Sequence, residues 1–249
     1  LFKIALVNLG FTLSGLLTLL AGSFLSSLPV PAAPLLAAGA VAAGGFWCLV
    51  YLAAAARAVT GISDYGSFGP ADFLRALGRA WPAGLMMGAF ALLLWALARY
   101  VIPFYGALNS TVGMALAAVS FWFLAGGVLA LQFFLTIHAR LENRLVKAVK
   151  KAFLIFLDNP LFCLFSLIHD LLVLALSAFL LFLVPGPAGV LLYLDEALRL
   201  RLLKYDWLEA NPSPAGSSRR RIPWEEILAE EREKTGNRSF KSFIFPWKE

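Results

Sequence analysis

The chain has 249 residues, of which 60% are hydrophobic and 14% charged, and its mean hydropathy is +0.78. These proportions exclude an ordinary soluble domain and a disordered chain, and two cysteines inside apolar runs, Cys48 and Cys163, exclude a disulfide framework. The formal charge of +6 would suggest nucleic acid in a soluble protein. Here the cations flank apolar runs, where anionic headgroups and insertion bias account for them, so no nucleic-acid partner is expected.

A bilayer core of about 30 Å needs roughly 20 apolar residues as a helix. Five runs meet that length: 4–25, 34–56, 82–102, 112–137 and 160–184. The first reads as a retained span, since it lacks the pattern of a cleavable signal. A sixth run, 188–203, is marginal because Asp195 and Glu196 interrupt it and Arg199 and Arg201 follow. It can cross short, cross obliquely or lie along the surface; the uncharged turn at Val184-Pro185-Gly186-Pro187 favours crossing. With six crossings, every Lys and Arg except Arg99 falls on one side, the asymmetry that marks the cytoplasmic face. The expected fold is therefore all-α: a polytopic membrane bundle of six transmembrane helices over 1–205, with both termini cytoplasmic. Residues 206–249 are expected to form a cytoplasmic linker, a short helix and an aromatic tail.

In the first span, Gly10, Ser14, Thr18, Gly22 and Ser26 recur every four residues. Such a stripe allows close backbone approach and is expected to face another helix, either in this chain or in a partner. The second span carries Gly39, Gly44 and Gly45 and the third Gly84 and Gly88, so the first three spans are expected to form a tight sub-bundle. The inner segment 64–80 has a Gly/Pro turn, then Asp72 as an expected N-cap, with Phe73, Leu74, Leu77 and Trp81 on one face and Arg75 and Arg79 on another. It reads as an interfacial helix beneath the bundle. The next inner segment presents Leu141, Leu145, Ala148 and Ala152 on one face and brings five cations, Arg140 to Lys151, to the membrane surface.

His169 and Asp170 form the one ionisable pair expected near mid-membrane, where a charge costs about 2.5–3.5 kcal/mol or more. Two readings stay open: hydrogen bonding to Asn8, Ser14, Ser120 or Gln132 on neighbouring helices, or a proton or solute path. The patterns at Asn109-Ser110-Thr111 and Asn237-Arg238-Ser239 match glycosylation acceptors and carry no inference. Beyond Tyr205 the composition changes. A Pro/Ser/Gly linker at 211–218 and the cluster Arg219-Arg220-Arg221 lead to an expected helix over 223–234, with Trp224, Ile227 and Leu228 on its apolar face. Phe240, Phe243, Phe245 and Trp247 then make an end too aromatic for solvent, expected to dock on a partner or on lipid. No phosphate-cradling loop, HExxH or CxxC motif occurs, so no catalytic residue, metal or cofactor is expected and the chain does not read as an enzyme.

The stretch from Phe134 through Ala139-Arg140-Leu141-Glu142-Asn143, then Val149-Lys150-Lys151-Ala152-Phe153 and on to Leu198-Arg199, resembles the YesL-like family of bacterial integral membrane proteins of unknown activity. The family pattern is an aromatic span, an R-x-x-N segment, a K-x-A helix, a further span, a Pro/Gly outer turn and a last span ending in basic residues. The tail departs from it. The resemblance implies residence in the bacterial cytoplasmic membrane and an accessory role beside the permease subunits of a carbohydrate ABC importer, and it brings no active-site residues. The alternative expectation is a stand-alone transporter or channel using His169 and Asp170.

Overall fold

A computed structural model of the chain describes residues 2–64, 66, 68–141, 144–211 and 222–229. Among them the structure is all-helical, and five helical stretches are long and apolar enough to cross a membrane. The chain divides into two units, Leu1–Leu198 and Arg199–Glu249, a boundary that falls before the one expected after Tyr205.

Helix α1, Phe2–Ser26, packs against α2, Ala33–Ser63. The four-residue stripe makes that contact: a Cβ on Gly10 would strike the Tyr51 side chain, and one on Gly22 would meet Val41. Trp47 donates to the Ser14 hydroxyl at 3.2 Å. Thr18 in turn fills the notch above Gly44, so the stripe serves packing within the chain. Gly39 and Gly45 face open space and take no part.

Helix α3, Pro70–Ala96, begins earlier than expected and runs without interruption through Pro82. The separate interfacial helix is thus corrected to the first turns of a long one. Asp72 sits inside the first turn instead of capping it, accepting from the Gly69 amide at 2.9 Å and pairing with Arg75 at 2.6 Å. The buried face also differs from the one expected. Ala76, Ala80, Ala83 and Gly84 are buried, while Leu74 and Trp81 are exposed, because in lipid close approach favours small residues over large ones. A π-helical turn, Leu97–Val101, precedes α4, Ile102–Gly106, at Pro103, whose ring cannot follow a regular α turn.

Helix α5, Thr111–Leu131, starts at Ser110, whose hydroxyl accepts from the Gly113 amide at 3.0 Å. It breaks before α6, Phe134–Leu141. At the break the Gln132 side chain donates to the carbonyls of Leu129 and Cys163, both at 2.8 Å, which ties the kink to α8. Helix α7, Leu145–Asp158, buries Ala148, Ala152 and Ile155 and exposes Lys147, Lys150 and Lys151, close to the expected faces. Helices α8, Pro160–Phe179, and α9, Gly186–Ala210, follow. The core lies where the second half of α2 meets α6: Ala54, Ala55, Val59, Phe133, Phe134 and Ile137 are almost wholly buried. Cys48 and Cys163 are not disulfide-bonded.

The α8–α9 turn is held by side chains of α1. It is anchored to buried Asn8, which donates to the carbonyls of Leu183 and Pro185 at 3.0 and 2.6 Å and accepts from the Ala188 amide at 2.8 Å. Thr12 donates to the Leu181 carbonyl at 3.1 Å. Helix α1 continues for 18 residues beyond Asn8, roughly 27 Å at 1.5 Å per residue, so the turn stops well short of the far end of the bundle. Helix α9 has nine residues before Asp195, about 13 Å of rise. It is not among the five membrane-long stretches.

The second unit holds the later turns of α9 and α10, Trp224–Ile227. Trp224 is exposed, Ile227 and Leu228 are half-buried, and Pro223 directly precedes the helix. The remainder of the helix expected to Lys234, and Phe240, Phe243, Phe245 and Trp247, lie outside the described residues.

Candidate functional site

Three helices converge on Arg140, at the end of α6. Its Nε and Nη2 donate to the two oxygens of Asp195 at 2.9 and 2.5 Å, a bidentate pair. Nη1 reaches the Asp64 carboxylate at 3.1 Å, and Nη2 also donates to the Ser63 hydroxyl at 3.2 Å. Thr60 donates to Asp195 at 3.2 Å, and Ser63 to Glu196 at 2.6 Å. The Asp195 side chain is 0% exposed and that of Arg140 12%. A carboxylate this far from water is tolerable only when its lone pairs are filled, and here three donors fill them. The cluster clamps the end of α2, the end of α6 and the middle of α9. The acceptors of buried Asp195 are already occupied, so its chemistry is that of a strut.

Asp195 and Glu196 entered the sequence reading as the flaw in a sixth span, and Arg140 as part of the family resemblance; nothing joined them. The available signal was electrostatic. Opposite charges inside apolar segments must find each other.

The expected intramembrane pair finds partners other than the four named from sequence. His169 and Asp170, adjacent on α8, approach each other at 3.5 Å between Nδ1 and Oδ1. The imidazole stacks on Tyr193 of α9, with ring centroids 3.7 Å apart, and the Tyr193 hydroxyl lies 3.4 Å from that of Ser166. None of the four partners expected from sequence serves them. Asn8 holds the α8–α9 turn, Ser14 donates to Gly10 and receives Trp47, Ser120 donates to Leu116, and Gln132 spans Leu129 and Cys163. The Ser14 and Ser120 hydroxyls bond the carbonyl four residues back on their own helices, whereas Asn8 and Gln132 reach carbonyls of the α8 region. Asp170 is buried, whereas the His169 side chain is 43% exposed.

No protein-family model matches the chain, and no curated protein or solved structure matches it. Its functional reading therefore rests on the residues themselves. Of the expected docking residues, Trp224 and Ile227 lie on one short helix in the second unit and Leu228 directly follows it. Among the described ionisable side chains of the first unit, Arg140, Asp64 and Asp195 form one group and His169 and Asp170, beside Tyr193, another.

Proposed function

We propose that this chain is a non-enzymatic accessory subunit of a membrane complex, of the YesL-like kind, seated beside the permease of a carbohydrate ABC importer. The observation that supports it most is the closed Arg140–Asp195–Asp64 cluster, in which ion pairs and hydroxyls are spent on joining helices. Around that joint the helices turn broad apolar faces outward, including Leu16, Leu17, Leu19 and Leu20 of α1 and Phe121, Trp122 and Phe123 of α5. Such faces suit lipid or a neighbouring transmembrane helix equally well. The importer as partner comes from the family resemblance. Solubilising membranes of the native source and isolating the tagged chain tests the proposal: permease subunits should copurify. A monodisperse monomer whose deletion leaves sugar uptake unchanged would contradict it.

The membrane arrangement proposed with this function has four through-going helices, α1, α2, α3–α4 and α5–α6, and a re-entrant α8–α9 hairpin entering from the cytoplasmic side of the inner membrane. The connecting residues Leu180-Leu181-Phe182-Leu183-Val184 are all apolar, which suits hydrocarbon and not an aqueous loop. Both termini then share the cytoplasmic side with all the cations except Arg99, as in the six-crossing layout.

The transporter reading keeps one specific support, the half-exposed His169 ring beside buried Asp170. Substituting His169→Leu together with Asp170→Asn in proteoliposomes separates the two. A transporter loses flux, whereas an accessory subunit keeps its complex.

A further inference from the structure

A cavity of about 360 Å³ opens where the start of α1, the end of α2 and the start of α3 meet. Leu6, Val7, Ile62, Phe68 and Phe73 line it, and Tyr51 closes one wall with its hydroxyl already committed to the Val7 carbonyl at 2.8 Å. Lys3 is the single charged residue of the lining. It is exposed and has no ion pair among the described residues. The rim residues Leu6 and Leu74 are 49% and 67% exposed, so the cavity opens sideways through apolar side chains.

Water does not fill an apolar cavity stably, and an empty one forfeits the dispersion contacts of its walls. In a bilayer the available filler is a hydrocarbon chain. An ammonium at the same opening, with no ion pair among the described residues, is complementary to a phosphate. We infer that this cavity binds an anionic phospholipid, one acyl chain between α1, α2 and α3 and the phosphate on Lys3. The cavity volume lies within the usual range for small-molecule sites, about 300–1,000 Å³. Its cation belongs to the first turn of α1, on the side expected to face the cytoplasm. The inference is independent of the accessory function.

The test uses the full chain in nanodiscs of equal parts dioleoyl-phosphatidylglycerol and dioleoyl-phosphatidylcholine, with native mass spectrometry reading the lipid retained on release. The unsubstituted protein should retain the anionic lipid in preference. Lys3→Gln should lower that preference roughly fivefold, the weight of one cation at an anionic surface, while Lys150→Gln, on the exposed face of α7 and outside the cavity lining, lowers it distinctly less. Leu6→Trp, which fills the cavity, should lower retention of both lipids, and glycerophosphate without acyl chains should not be retained. The inference is overturned if Lys3→Gln keeps the full preference, if Lys150→Gln lowers it equally, or if glycerophosphate alone is held. Lys3 is a surface side chain, so its substitution leaves the fold in place and either result is decisive.

Discussion

Arg140 makes four hydrogen bonds to three residues of two other helices, and removing it leaves the Asp195 carboxylate buried without its counter-ion. Arg140→Ala is therefore expected to cost about 3–5 kcal/mol, read as unfolding in detergent micelles. Combining Arg140→Met with Asp195→Leu should recover most of that loss, since no buried uncompensated charge then remains and Asp64 is half exposed to solvent. If the double variant is no more stable than the single one, the pair is not the joint described. At this scale the sequence was partly legible. His169, Asp170 and Asp195 are each visible as charges or dipoles in apolar company and Arg140 as a cation of the second inner segment, but their partners depend on which helices lie side by side. Asn8 shows the same limit: its polarity was evident, whereas its service to the α8–α9 turn depends on a contact across more than 170 residues.

Helices were the most legible level, and their packing faces less so. The extent of α1 lies close to the expected run, because apolar length in a bilayer leaves the backbone few alternatives, whereas the run expected over 112–137 starts in place but breaks after Leu131 into α5 and α6. The start of α3 was misplaced, since Pro82 reads as a boundary in water but is accommodated inside a membrane helix. Its buried face was misplaced too, because a rule that buries large side chains fails where lipid is as apolar as the core. The four-residue stripe of α1 was read correctly as a helix contact and proves to meet α2. A paired substitution examines that contact. Gly44→Ala pushes a methyl into Thr18 and should destabilise by about 1–3 kcal/mol. Gly45→Ala faces open space and should be neutral or stabilising by up to about 1 kcal/mol through helix propensity. Equal effects in thermal unfolding would mean that the α1–α2 interface lies elsewhere.

For the whole molecule, composition established a multi-pass helical membrane character, and the charge distribution suggested sidedness. Span counting was less secure, because hydropathy cannot tell a helix that crosses from one that enters and returns. The α8–α9 turn is apolar enough for either; its bonds to Asn8 and Thr12 support the return. Cysteine labelling on intact cells with a membrane-impermeant maleimide tests this most directly, after Cys48 and Cys163 are replaced by Ala. Ser27→Cys, in the α1–α2 connection, should label from outside, and Val184→Cys, at the hairpin tip, should stay unlabelled. Labelling of Val184→Cys as readily as Ser27→Cys would place the turn outside, restore α8 as a full crossing and contradict the re-entrant hairpin.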